Sequence, residues 1–181
     1  NPNPGLVRLL DDMGVSARSG HEELPNLAVL DMPDVDSMEL SHKAAVDALL
    51  PQVDVVVWVL DPEKYNDRVL HEDYFARLAK YADQFVFVLN QTDRLEPAER
   101  KRMMADLESR LETDGIANPR IMATAADPDF GAPIGIEELI DRLHTELAGK
   151  RVVLDKLATD AAMIVSELAA HAAADSTPLG A

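Results

Sequence analysis

The chain has 181 residues, of which 47% are hydrophobic and 4% aromatic, and it carries a formal net charge of -16. This length predicts one domain of ordinary size with an appendage, and the few aromatic residues predict an aliphatic core of the kind that parallel sheets have. The acidic balance argues against direct binding of nucleic acid, since that affinity depends on neutralising phosphates. The absence of cysteine excludes disulfides and thiolate-based zinc sites.

The amino-terminal residues have neither the basic start nor the apolar run of a signal peptide. The longest apolar run, residues 55–60, is far too short to span a bilayer. We therefore expect a cytoplasmic protein without a transmembrane segment, with peripheral contact to a membrane left open.

Four short runs of β-branched and large aliphatic residues predict strands, at residues 27–30, 53–60, 85–89 and 120–124. The first three runs are continuous rather than alternating, which is typical of strands buried on both faces. Stretches with helical spacing separate and follow them, at residues 41–50, 67–82, 97–113 and 135–147. This alternation predicts an α/β fold with a mainly parallel sheet and helices on both faces.

The carboxy-terminal segment 151–174 has its apolar residues on one stripe of a helix, interrupted by charged residues. It predicts an amphipathic helix that packs on the domain or on a partner, through which the protein could bind another protein or self-associate. The predicted organisation is a binding domain over residues 1–148, then this helix and a frayed tail over residues 149–181.

The candidate functional residues follow the predicted strands, because ligands of open parallel sheets bind beyond the carboxyl ends of the strands. Asp31 ends the first run and precedes a Pro turn, where an Asp can hold a hydrated magnesium ion through water. An alternative role for such an Asp is a helix N-cap or a turn.

Asn90 and Asp93 follow the third run and have the chemistry to recognise guanine. A carboxylate can accept the two N–H groups on the Watson–Crick edge of guanine, and an Asn amide can serve the carbonyl and ring nitrogen on the other edge. Adenine lacks such a pair of donors. The alternative is an ordinary loop in which Asp93 caps the next turn.

Three segments, LAVLDMPDVDS, FVFVLNQTDRL and IMATAA followed by GIEELIDRL, occur in this order. They resemble the DxPG-type turn, the N-K-x-D loop and the S-A-x motif of Ras-like GTPases, particularly of the Era-like and dynamin-like branches, over roughly residues 26–147. The resemblance implies that Asp31 faces Mg²⁺ and that Asn90 and Asp93 bind guanine. It also implies that the backbone around Thr124 and Ala125 supports the guanine carbonyl.

The sequence departs from this family at three positions of the motifs. Gln91 replaces a Lys whose stem covers the base, so weaker stacking is expected. Asp34 replaces a Gly whose N–H meets the γ-phosphate, so its carboxylate must point away. Val35 follows where some relatives have a water-positioning Gln.

The phosphate-binding pattern G-x-x-x-x-G-K-[S/T] occurs nowhere in the sequence. The family resemblance then implies that this loop precedes Asn1 in a longer chain. The leading hypothesis is a switch that binds GTP or GDP with Mg²⁺ and hydrolyses GTP slowly, an activity expected only with that upstream loop. We assign no catalytic residue. The alternative is a degenerate GTPase fold that serves as an interaction module.

Overall fold

The computed structural model describes residues 4–12, 15, 17–20, 27–32 and 40–175. The chain divides into two compact units, residues 1–52 and 53–181. In the first unit, helix α1 spans Pro4–Asp12 and helix α2 spans Leu40–Leu49, and a short 3-10 helix, Leu50–Gln52, follows α2.

The second unit alternates strands with helices, as the sequence predicts. Its elements in chain order are strand β1 (Val56–Leu60), a π-helical segment (Leu70–Phe75) that continues into helix α3 (Ala76–Leu78) and a 3-10 segment (Ala79–Gln84), strand β2 (Phe85–Leu89), a 3-10 turn (Thr92–Arg94), helix α4 (Pro97–Thr113), strand β3 (Ile121–Ala123) and helix α5 (Ile136–Asp175). Helix α4 has the predicted bounds, with Pro97 in its first turn, where a missing N–H costs nothing.

The three strands form one parallel sheet in the order β1-β2-β3. All five residues of the central strand β2 are buried, so both faces of the sheet are covered at this strand. This confirms the predicted α/β fold, and it explains why the run in β2 is continuously apolar.

One face of the sheet packs against the π-helical segment through aromatic rings, although aromatic residues are rare in the chain. Trp58 on β1 contacts Phe85 on β2 and both Tyr74 and Phe75 on the segment, all edge to face. Phe75 also contacts Phe87, and all five residues are buried. The core is therefore not aliphatic alone, because the few aromatic residues are concentrated in one cluster.

The predicted strand at residues 27–30 is wrong. Residues 27–32 have no regular secondary structure, and 70% of the surface of Val29 is exposed. A strand exists only when a neighbouring strand takes its backbone hydrogen bonds. Within the described residues, none pairs with this run.

The two helices predicted at residues 135–147 and 151–174 form one continuous helix, α5. No proline interrupts residues 148–150, and Gly149 alone costs only about 1 kcal/mol within a helix. The division into a binding domain over residues 1–148 and a tail over residues 149–181 stays a prediction.

The carboxy-terminal half of α5 exposes apolar side chains. Five of them are more than half exposed, namely Leu154, Leu157, Met163, Ile164 and Val165. The described part of the chain does not bury them, so a partner or a second copy at this stripe stays a prediction. Among the described helices, none has both the length and the apolar character that crossing a membrane requires.

Candidate functional site

The carboxyl ends of the three strands meet in register at one edge of the sheet. Leu60, Leu89 and Ala123 are neighbours there. Two backbone hydrogen bonds extend the sheet by one residue, since the Asn90 N–H donates to Leu60 O at 2.8 Å and the Thr124 N–H donates to Leu89 O at 2.8 Å. The parallel topology therefore brings together Asn90 and Thr124, which are 34 residues apart in the sequence.

The side chain of Asn90 is held by the segment after β3. Its Oδ1 accepts a hydrogen bond from Thr124 Oγ1 at 3.0 Å and another from the Ala126 N–H at 3.1 Å. Because a backbone N–H can only donate, the contact with Ala126 establishes which amide atom is the oxygen. The two N–H groups of Asn90 Nδ2 have no partner within the described residues, so the amide presents donors only.

The turn after Asn90 is anchored to the same segment. Gln91 adopts a left-handed conformation, with φ 58° and ψ 29°, which is uncommon for a residue with a side chain. The turn lets the buried Thr92 donate to Thr124 O through both its N–H, at 3.0 Å, and its hydroxyl, at 2.9 Å. These bonds compensate for a backbone conformation that costs roughly 1–3 kcal/mol.

Asp93 lies in this turn with an exposed side chain. Its carboxylate makes no hydrogen bond or ion pair with any other residue that the structure describes. The alternative in which Asp93 caps the next turn is not observed among the described residues, since its carboxylate accepts no hydrogen bond from them. The structure therefore leaves an acceptor-only group three residues after the donor-only amide of Asn90.

The loop from β3 to α5 is closed by an antiparallel bridge. The Ala125 N–H donates to Ile134 O at 3.0 Å, and the Ile134 N–H donates to Ala125 O at 2.9 Å. The N–H of Ala125 is therefore already used within the protein. The next residue, Ala126, is exposed and directs its N–H to Asn90, a contact that the sequence interpretation missed.

Gly135 sits at the end of this loop, beside Thr124. Its φ is +71°, and a Cβ at this position would overlap the carbonyl oxygen of Ala123 and approach Thr124 Cγ2 to 3.3 Å. Only glycine fits here without displacing the end of β3. Gly135 thereby allows α5 to begin directly against the candidate site.

The predicted phosphate and magnesium residues do not belong to the unit that contains this edge of the sheet. Asp34 lies outside the described residues. Asp31 is exposed and belongs to the first unit. In the ranges that the structure covers, no group of three or more His, Asp or Glu side chains could hold a metal ion. The roles predicted for Asp31 and Asp34 stay predictions.

A second polar network ties the loop after β1 to helix α4. Tyr65 Oη donates to Asp106 Oδ2 at 2.9 Å, and Arg110 Nε donates to the same oxygen at 2.8 Å. Both bonds lower the pKa of Asp106, and the bond from Arg110 has the larger effect. Burial, and then the bond to Asp106, raise the pKa of Tyr65.

Buried His71 strengthens the same connection. Its Nδ1 is hydrogen-bonded to Asp114 Oδ2, and its Nε2–H donates to the carbonyl oxygen of Tyr65 at 3.0 Å. The ring also packs edge to face on Phe75. The network holds the loop after β1 against helix α4, which is a structural role.

Comparison with known proteins points to one class of protein. The chain matches no protein-family model. Over 158 residues it is 28% identical to the probable GTP-binding protein EngB of Sinorhizobium medicae (strain WSM419), in an alignment that covers 82% of this chain and 70% of that protein. This similarity supports a place in the P-loop GTPase family. The parallel sheet and its flanking helices are consistent with part of a Ras-like GTPase domain.

Proposed function

We propose that this chain is part of a guanine-nucleotide-binding protein, and that the β2–α4 loop (residues 90–96) binds the guanine base. The observation that carries the proposal is the state of two side chains in this loop. Asn90 presents only donors, because Thr124 and Ala126 occupy its oxygen. Asp93 presents an ionised acceptor that no described residue occupies.

These two groups complement the guanine base. Guanine offers the acceptors N7 and O6 on one edge, and its N1–H and 2-amino group are donors on the other. The Nδ2 of Asn90 would serve N7 or O6, and the carboxylate of Asp93 would accept both donors in charge-assisted hydrogen bonds. Adenine has an amino group where guanine has O6 and offers no adjacent pair of donors, so the same loop would select against ATP.

The backbone donor for the guanine carbonyl is better assigned to Ala126 than to Ala125. The N–H of Ala125 donates to Ile134 within the protein. The N–H of Ala126 lies on the exposed side of the loop, directed at the amide of Asn90 at 3.1 Å, where a guanine O6 could share it. The predicted role of Thr124 changes accordingly, because its hydroxyl and its carbonyl position Asn90 and Thr92.

The finer proposal is a nucleotide-dependent switch with slow GTP hydrolysis, of the Era-like or dynamin-like branch. It requires a phosphate-binding loop, which these 181 residues do not contain. Mg²⁺ would neutralise phosphate charge in the complete domain, with Asp31 as the residue that the family resemblance assigns to it. Among the described residues, no cluster of carboxylate or imidazole side chains suited to a metal ion is found.

Isothermal titration calorimetry with GDP, GTP and ADP tests the proposal, on this chain and on the longest natural form of the protein. We expect the guanine nucleotides to bind and ADP not to bind. Asn90→Ala should weaken GDP binding, since it removes the Nδ2 donors. The matched control is Asn66→Ala, an exposed amide in another loop.

Two results would contradict the proposal: equal affinity of the longest form for GDP and ADP, or no binding of either nucleotide. Binding lost equally in Asn66→Ala would show that the effect of Asn90→Ala is not specific. An interaction module built on the GTPase fold would then be the better account.

A further inference from the structure

In the β2–α4 loop, Arg94 makes two hydrogen bonds to Gln91, the residue that follows Asn90. Arg94 Nη1 donates to Gln91 Oε1 at 2.7 Å, and the Arg94 N–H donates to Gln91 O at 3.2 Å. Both contacts cross the 3-10 turn that contains Asp93. The left-handed backbone of Gln91 thus directs its side chain along the turn to the guanidinium group of Arg94.

This contact is notable because Arg94 follows a carboxylate in the sequence and does not pair with it. No ion pair of Arg94 is found among the described residues, and the same holds for Asp93. The guanidinium group instead binds a neutral amide. Since Arg94 holds Gln91, the carboxylate of Asp93 remains free to accept hydrogen bonds.

The contact also restricts a flexible side chain. A Gln side chain has three rotatable bonds, and fixing it on binding normally costs affinity. The amide and the guanidinium group are both planar, and an N–H···O bond favours an approach near the plane of the carbonyl group. The bond therefore restrains the planar amide of Gln91, which follows Asn90 in the sequence, and the face of a base can pack against a planar amide.

We propose that Arg94 is a positioning residue for purine binding: it holds the amide of Gln91 in place, and this amide supports one face of the base. This inference rests on the proposed guanine site, to which it adds a residue outside the N-x-x-D motif. Because the Gln91 amide would contact the ring face and not its edge, its contribution does not depend on the 2-amino group that Asp93 recognises.

The test is a double-mutant cycle of Gln91→Ala and Arg94→Ala, in the longest natural form of the protein. Affinities for GDP and IDP are measured by calorimetry, since inosine lacks the 2-amino group. We expect Arg94→Ala to lower the affinities for GDP and IDP by the same factor, about three- to tenfold, because one side chain is no longer preorganised. The double mutant should bind no more weakly than Gln91→Ala alone, because Arg94 acts through Gln91.

Arg102→Ala is the matched control, since Arg102 is an exposed arginine on α4 and this change removes the same charge. It should leave both affinities unchanged. Losses that add in the double mutant, a loss for GDP alone, or no loss at all would overturn the role of Arg94. If the wild-type protein binds GDP while Arg94→Ala has no effect, only this inference fails. If the wild-type protein binds no guanine nucleotide, both the proposed function and this inference are wrong.

Discussion

The substitution Gly135→Ala tests the packing of the candidate site, because it adds a single methyl group there. In Gly135→Ala the new Cβ would overlap the carbonyl oxygen of Ala123, which belongs to β3, and would crowd the methyl group of Thr124. The positive φ of +71° costs about 1–2 kcal/mol for any residue with a Cβ. Overpacking against the backbone costs about 1–3 kcal/mol more. The expected loss in the free energy of unfolding is therefore about 2–5 kcal/mol.

Urea unfolding followed by the fluorescence of the single tryptophan, Trp58, measures this loss. Gly131→Ala separates its two causes, because Gly131 also has a positive φ, +94°, but a Cβ there would meet nothing within 4 Å. Its loss should be only about 1–2 kcal/mol. Gly149→Ala, in the middle of α5, should instead stabilise the protein by about 0.5–1 kcal/mol. If Gly135→Ala is no more destabilising than Gly131→Ala, the close approach to β3 is wrong.

Three further predictions concern the polar network that links the loop after β1 to helix α4. Hydrogen bonds lower the pKa of Asp106, so this carboxylate stabilises the fold at pH values above the pKa that it has in the unfolded chain. The stabilisation is lost as the pH falls through the lowered pKa. From pH 6 to pH 3 the wild-type protein should therefore lose more stability than Asp106→Asn, and equal losses would contradict this. In Tyr65→Phe, carbon NMR titration should show the Asp106 pKa raised towards its ordinary value, whereas an unchanged pKa would exclude the Tyr65 hydrogen bond as a cause. His71→Ala should destabilise the fold by about 2–4 kcal/mol in urea unfolding, because it breaks two partly buried hydrogen bonds and removes a buried ring. A loss below about 1 kcal/mol would refute that role.

The elements that the sequence predicted well are those whose pattern is local. The apolar run at residues 85–89 and the Pro-initiated helix at residues 97–113 have the predicted bounds. The run at residues 27–30 has the same local character, but a strand also needs a hydrogen-bonded neighbour, which composition does not reveal. The helices predicted at residues 135–147 and 151–174 are one helix, because the residues between them include no proline and a single glycine is too weak a signal to end a helix.

The same distinction applies to the candidate site. That Asn90 and Thr124 would meet follows from strand order, because the carboxyl ends of parallel strands share one edge. Which backbone N–H is free to bind the guanine carbonyl, that of Ala125 or that of Ala126, does not follow from strand order. It depends on the bridge between Ala125 and Ile134, and nothing in the alanine-rich sequence indicates that bridge. The bond from Arg94 to Gln91 depends on a left-handed backbone at a residue that is not glycine, and no simple sequence signal predicts that conformation.

The central claim is that Asp93 reads the donor edge of guanine, and a change of nucleotide preference tests it most directly. Calorimetry of the longest natural form compares GDP with XDP, in which an oxygen replaces the 2-amino group, for the wild-type protein, Asp93→Asn and Asp93→Ala. Asp83→Asn, an exposed carboxylate before the amino end of β2, is the matched control. Asp93→Ala should weaken GDP binding by about 2–5 kcal/mol, as for one side of a charged hydrogen-bonded pair. Asp93→Asn should move the preference towards XDP, because an amide can donate to the new oxygen. Equal affinity for GDP in all of these proteins would show that the β2–α4 loop does not read the base, and would contradict the account.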